Sequence, residues 1–326
     1  MTSCSVVMAT YNGARFLSEQ LDSIRDQDTL PDELIVSDDG STDGTLDIVA
    51  DFRRRAPFHV KVLRGPGCGY AENFWSAAAE ANCETIAWSD QDDVWHPEKL
   101  SRSLRVLQDT QVAMVSHSAA LVGPSLKPLG GMYPGYQTDR VLEPLQGQPL
   151  AVPPGFVSTF RRTLLEQVRW SGRPLSHQHA LPLGHDHAIA LVTFAGHRRA
   201  QQAAVLARHR QHGANVAGDP TEAKLRQLVT GLRTPASEYE QLGDYMYGYA
   251  SWLGESRFDE AARYYRTIGD RAYMRTGVRR SDTSGRRLLC WMEAMEARVY
   301  RPIDQGGFGR MAMANDVAAA ILGTAR

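Results

Sequence analysis

No run in this 326-residue chain approaches the ~18 consecutive apolar residues needed to cross a bilayer. Cysteine is scarce: Cys4, Cys68, Cys83 and Cys290 stand far apart and form no CxxC pair. That spacing argues against a disulfide framework or a zinc site and for reduced thiols in a cytoplasmic protein. An excess of one charge is also missing. The net charge of −1 gives no global reason to expect a nucleic-acid partner. The opening "MTSCSVVMATYNG" has no basic region followed by an apolar stretch and a cleavage site, so it does not read as a secretory signal. Both common phosphate fingerprints, GxxxxGK[ST] and GxGxxG, are absent, and "RGPGCGYAEN" is glycine-rich without matching either. What remains, 43% hydrophobic and 22% charged residues, suits a globular protein of one large or two smaller domains.

Along the first hundred residues, short apolar runs alternate with helical spacing. "CSVVMA" is followed by Phe16, Leu17, Leu21 and Ile24 on one helical face. Leu34–Val36 leads into an acidic turn and a helix expected to be capped near Ser41 or Thr42. "HVKVLRG" precedes the helical "YAENFWSAAAEA", and "TIAWSD" is the fourth run. This alternation predicts an α/β fold with a mostly parallel sheet. Ligands of such sheets sit beyond the carboxyl ends of the strands, where three loops fall: Thr10–Gly13, Ser37–Asp43 and Ser89–Trp95. Residues 123–155 are rich in proline and glycine, and apolar segments return from about 156 to 206. A composition break near "GANVAGDPTEAK" separates an expected domain 1–218 from a mostly helical region 219–326.

Each of the three loops has a plain and a functional reading. "SDQDDVW" packs Asp90, Asp92 and Asp93 into four positions. It is either a helix-capping turn or a hard-cation site for Mg²⁺ or Mn²⁺, because such ions prefer carboxylate and phosphate oxygens. "SDDGSTDG" is either a turn with an N-cap or a pair of carboxylates, Asp38 and Asp39, for a nucleobase and a ribose. "TYNG" is either a turn at Asn12-Gly13 or a place where Tyr11 stacks on a base.

In this order and spacing the loops carry more weight. "SVVMATYNGARFLSEQLDSI", "ELIVSDDGSTDGT", "GYAENFWSAA" and "AWSDQDDVWHPEKL" resemble the inverting family 2 glycosyltransferases of GT-A fold. The resemblance is close over residues 3–100, and "SDQDDVW" is most similar to the bacterial branch often labelled rhamnosyltransferases of cell-surface polysaccharides. It implies a nucleotide-sugar site in which Thr10, Tyr11 and Asn12 line the nucleotide pocket and Asp38 and Asp39 bind base or ribose. Asp90 would contact ribose or sugar, Asp92 would hold a Mn²⁺ or Mg²⁺ ion on the donor diphosphate, and Asp93 would support that site. Arg64 and Asn73 lie on the nucleotide side. "LGHDHAIALVTFAGHRR" resembles the segment that supplies the catalytic base, which makes Asp186 the implied base rather than a plain N-cap. Many relatives have an aromatic residue after this acid, where the chain has His187. "ARHRQHGANVAG" resembles a "YRQHxxN" segment in which Arg210 meets the diphosphate and His212 the metal, with His209 in place of tyrosine.

The implied reaction is non-processive, metal-dependent transfer from a dTDP-, UDP- or GDP-sugar to a glycan or lipid-linked acceptor. A nucleotidyltransferase is disfavoured by the lack of a basic, glycine-rich phosphate loop. A catalytically inactive sugar-binding relative is disfavoured by the retained Asp90, Asp92 and Asp186. Six arginines between Arg271 and Arg287, beside "LLCWMEAM", are a candidate contact with an anionic membrane surface; a solvated helix face or a homodimer contact is the alternative.

Overall fold

Four apolar runs form a continuous parallel set, β1 (Cys4–Thr10), β2 (Glu33–Asp38), β3 (His59–Arg64) and β4 (Thr85–Ser89), in the spatial order β3-β2-β1-β4. They are linked by α1 (Leu17–Arg25), α2 (Thr45–Arg55) and α3 (Tyr70–Ala78). β2 is buried along its whole length, as expected of a strand covered on both faces. Val6, Met8, Leu34 and Val36 of the strands share one core with Leu17, Leu21 and Ile24 of α1 and Val49 and Phe52 of α2. The computed structural model describes residues 2–177, 181–212, 234–303 and 307–322.

Helix α2 starts later than the sequence suggests. Ser41 and Thr42 are occupied elsewhere: Ser41 N–H and Oγ donate to Asp38, and Thr42 N–H donates to Asn12 Oδ1. Asp43 instead accepts from the Thr45 N–H at 3.0 Å, so the side chains expected to cap the helix hold the loop together.

Beyond β4 the sheet is mixed rather than mostly parallel. β5 (Val94–Trp95), α4 (Lys99–Val106), β6 (Val112–Val122), β7 (Pro128–Tyr133) and β8 (Arg140–Leu142) follow. A 3₁₀ turn at Gly155–Val157 leads into β9 (Ser158–Arg161), then come α5 (His185–Gly196) and β10 (Arg198–Arg210). β9 runs antiparallel between β4 and β6, whereas β10 lies parallel to β6 and antiparallel to β5 and β8. A loop and a single 3₁₀ turn deliver β9, with no helical crossover to force a parallel return. α5 is buried nearly all round, the signature of a helix inside a core.

Two compact units divide the chain. The first holds residues 1–144, 152–168 and 184–217, and includes the whole sheet. The second holds residues 145–151, 169–183 and 218–326, so two short segments from inside the expected 1–218 domain pack with the helical part. Its helices are α6 (Ala236–Glu255), α7 (Asp259–Arg280), α8 (Ser284–Glu296) and α9 (Gly309–Leu322). The helix expected at "EAKLRQLVTGL" lies outside the described residues. α6 and α7 approach closely: a Cβ on Gly269 would sit 3.0 Å from the Tyr247 ring. The arginine-rich stretch is not one basic surface. Arg275 and Arg279 are buried and pair with the buried Asp316, which also accepts from Tyr300 Oη at 2.9 Å. Arg280 pairs with Glu240, and Arg287 donates to the carbonyls of Ser281 and Ala320.

Phe52 is fully buried between α2 and the first strands. Phe52→Ala is expected to lower the stability of the sheet-containing unit by about 3–5 kcal/mol, read as an earlier urea midpoint.

Candidate active site

Strand register sets the site. Thr10, Asp38 and Arg64 are lateral neighbours at the carboxyl ends of β1, β2 and β3, and Ser89 ends β4 beside Met8. The first three loops therefore emerge from one edge of the sheet, as their positions in the sequence require.

Side-chain direction then sorts the expected residues. Thr10 is buried and donates to Asp38 Oδ1 at 2.9 Å. Asp38, also buried, accepts in addition from the Gly40 and Ser41 amides and from Ser41 Oγ. Asn12 has a positive φ of 46° and joins two loops through Ser41 and Thr42. Asn73 is buried and donates to the Ser37 carbonyl at 2.9 Å. Thr10, Asp38 and Asn73 thus hydrogen-bond inside the protein, whereas Asn12 is exposed and braces the loops from the surface. Tyr11, 59% exposed, and Arg64 remain on the surface. Asp39 is half-buried and accepts from the Gly67 and Gly69 amides at 2.6 and 3.0 Å, which ties the second loop to the glycine-rich third.

The acidic loop is built by β5. Val94 pairs with Arg208 and Trp95 with Ala207, which carries Asp92 and Asp93 to the end of β10. His212 Nε2 and Asp92 Oδ2 are 2.7 Å apart. His209 Nδ1 lies 2.9 Å from Asp93 Oδ1, and the same oxygen accepts the Arg210 N–H at 3.0 Å. Asp93 is completely buried, and its other oxygen has no hydrogen-bond partner among the described residues. Arg210, expected at the diphosphate, is turned inward. Its side chain is 1% exposed, lies over the Phe16 ring, and donates to the carbonyls of Asp92 and Pro124 and to Glu19. It braces the acidic loop through the Asp92 carbonyl.

Crowding shifts these groups. Burial, then the Asp93 and Asp92 charges, push the Asp90 carboxyl well above its ordinary 3.8. Burial and Asp93 raise Asp92 too, against the opposing pull of His212. Burial disfavours a charged His209, but Asp93, Asp90 and Asp92 outweigh it and raise that imidazole. Asp92 and His212 offer an oxygen and an imidazole nitrogen at one point; the carboxylate suits Mn²⁺ or Mg²⁺, and the softer imidazole suits a transition metal better than Mg²⁺. No three acidic, histidine or cysteine side chains converge to hold a metal among the described residues. Phosphate oxygens and water would complete the shell, as is usual for Mg²⁺.

Asp186 lies in the first turn of α5. Its Oδ2 accepts from the Gly155 N–H at 3.1 Å and its Oδ1 from the His187 N–H at 2.8 Å. Two glycines keep the carboxylate clear. A Cβ on Gly184 would stand 2.9 Å from Asp186 Oδ1 and 3.9 Å from the Tyr70 hydroxyl, and one on Gly155 would stand 3.4 Å from Asp186 Cβ. Burial, then the charges of Asp186 and Asp90, raise the Tyr70 phenol.

Several residues here went unnoticed in the sequence. Gln91 clamps Tyr11 by its backbone, accepting from the Tyr11 N–H at 3.0 Å and donating to its carbonyl at 3.1 Å. An amide inside an acidic triplet was the available signal. His185 is buried and stacked 4.0 Å from Phe74, and neither ring nitrogen has a hydrogen-bond partner among the described residues. Burial pulls it down to about 4, so it stays neutral. Its place before Asp186 was the only clue.

Residues 5–169, half of the chain, match the family model Glycosyl transferase family 2, and the chain belongs to that family. It is 32% identical over 168 residues to an uncharacterized glycosyltransferase of Nostoc sp., covering 50% of this chain and 52% of the relative. It is 35% identical over 105 residues to the dTDP-rhamnosyl transferase RfbG of Shigella flexneri, covering 31% and 36%. The chain thus spans about half the length of the first relative and about a third of the second. S. aureus TarS 1–349 in complex with UDP-GlcNAc superposes with a TM-score of 0.53 at 17% identity, covering 99% of this chain and 92% of that one. The mannosyltransferase PcManGT of Pyrobaculum calidifontis, in complex with GDP-Man and Mn²⁺, gives 0.50 at 18%, covering 99% and 87%. At these identities the likeness establishes the fold, which is GT-A with a helical C-terminal part.

The acidic loop makes a pH prediction. A raised Asp90 keeps its proton in the folded state after the unfolded chain has lost it. Its stabilising contribution is full below the unfolded value and is lost as pH rises through the folded one. Stability of the metal-free protein is therefore expected to fall as pH rises from about 3.8 towards neutral. Asp90→Asn should flatten that fall in denaturant titrations; an unchanged slope would remove Asp90 from the crowded cluster.

Proposed function

We propose that this family 2 glycosyltransferase moves one sugar from a nucleoside diphosphate sugar to an acceptor hydroxyl in a single inverting displacement. The observation that carries the reading is the Asp92–His212 contact across β5 and β10, on the sheet edge from which the nucleotide loops emerge. Tyr11 and Asp39 are the half-exposed groups beside the base and ribose, and Asp90 faces ribose or sugar. Bound at Asp92 and His212, Mn²⁺ or Mg²⁺ would offset charge on the departing diphosphate. PcManGT, a fold neighbour, has been seen with GDP-Man and Mn²⁺, which supports the same donor and metal classes here.

Asp186 takes the proton of the acceptor hydroxyl. Its two backbone donors orient the carboxylate, while the glycines beside it leave room for the incoming oxygen. A one-step attack by that oxygen on the anomeric carbon, opposite the diphosphate, inverts the centre without a covalent enzyme intermediate. The acceptor is a glycan or lipid-linked sugar of bacterial cell-surface assembly. This is supported by the similarity to a dTDP-rhamnosyl transferase and a putative teichuronic acid biosynthesis glycosyltransferase. No described helix is long and apolar enough to cross a membrane. With Arg275 and Arg279 used internally, a peripheral membrane contact would rest on the exposed Leu288, Leu289 and Met292 of α8.

Asp186→Asn is expected to keep nucleotide affinity and lose about 10²-fold or more in turnover, measured as nucleoside diphosphate release from UDP-, GDP- and dTDP-sugars. Turnover near wild type would require another base. Leu289→Ser with Met292→Ser should reduce co-sedimentation with anionic liposomes; equal partitioning would remove the membrane contact.

A further inference from the structure

The first residue of α4 is a lysine that none of the chemistry above uses. Lys99 is fully buried. Its ammonium sits 3.5 Å above the Trp95 ring and donates to the Phe156 carbonyl at 2.5 Å. A buried lysine is costly unless its charge or its hydrogen bonds are put to use. The charges of Asp93 and Asp90 favour its protonated form and oppose the burial that pulls it down to about 7.

Its partner is a junction. Gly155 and Phe156 are adjacent in the 3₁₀ turn Gly155–Val157. The Gly155 N–H holds Asp186 Oδ2. The Phe156 ring stacks on His209 at 4.3 Å and 18°, and His209 holds Asp93. Two adjacent residues thus reach the acidic loop through His209 on one side and touch the base on the other, and the Phe156 carbonyl is the group that Lys99 grips. Because α4 directly follows β5, the grip also links that turn to the strand that carries Asp92 and Asp93.

We propose that Lys99 is a positioning residue that fixes the Gly155–Phe156 turn, and so sets the distance between the acidic donor loop and the base Asp186. Lys99 itself touches neither donor nor acceptor. The proposal rests on Asp186 being the base.

The test is Lys99→Met, which keeps chain length and apolar volume and removes the donor. Hydrogen–deuterium exchange of the metal-free protein should quicken in a peptide spanning 153–158 and stay unchanged in one spanning 33–38. Affinity for UDP, GDP and dTDP with Mn²⁺ should stay within about threefold, while nucleoside diphosphate release falls about tenfold or more, because a small misplacement of a reacting group has that effect. Lys99→Arg, which keeps a cationic donor for the carbonyl, should restore part of both readouts, and it carries the test if the methionine variant does not fold. Unchanged exchange at 153–158 overturns the proposal, as does a loss of nucleotide affinity that matches the loss of turnover. The reading of Asp186 fails differently: Asp186→Asn then keeps turnover whatever Lys99→Met does.

Discussion

Three carboxylates in four positions repel one another, and much of the sheet-containing unit is arranged around that repulsion. Asp93 is buried beneath the loop with His209 and the Arg210 amide on one oxygen. Asp92 meets His212. Arg210 runs underneath and grips the Asp92 carbonyl, and Lys99 adds a buried amine nearby. The acids come from β4 and β5, and the histidines and arginine from the end of β10, so the cluster forms only when the last strand pairs with the short β5. Burial and the neighbouring carboxylates raise the Asp90 and Asp92 carboxyls; in the proposed function a divalent cation would offset that crowding.

The same constraint explains why so many site residues look inward. A nucleotide-sugar pocket needs loops fixed closely enough to aim a few groups. Thr10, Asp38, Asn12 and Ser41 hydrogen-bond among themselves, Gln91 locks Tyr11, and Asp39 bridges to the glycine-rich loop. Lys99 and the Gly155–Phe156 turn continue that bracing towards Asp186. The second unit solves a separate problem in its own way, by closing Arg275 and Arg279 on Asp316.

Much of the parallel half of the sheet was legible in the sequence because its strands are short apolar runs followed by loops rich in Asp, Gly and Asn. Motif spacing placed Asp90 and Asp92 in a loop at the end of β4, whereas Asp186 and His212 entered through the family resemblance alone. Direction was not legible. β2 is buried on both faces, so no alternation told that Asp38 turns inward while its neighbour Asp39 stays half-exposed. The burial of Arg210 was not legible because it depends on Glu19 and Pro124, both far from it in the chain. The antiparallel insertion of β9 was hidden because that strand is four residues long and follows a proline-rich loop. Lys99 stood in plain view inside "WHPEKL", where nothing local distinguishes a buried lysine from a solvated one.

Calorimetric titration of UDP, GDP and dTDP into wild type and Asp92→Ala, with and without Mn²⁺, tests the central claim most directly. If the acidic loop and His212 hold a metal on the donor diphosphate, Mn²⁺ should strengthen binding of at least one nucleotide about tenfold or more in the wild type and have no effect in Asp92→Ala. Equal affinity with and without Mn²⁺, or the same enhancement in the variant, would contradict it.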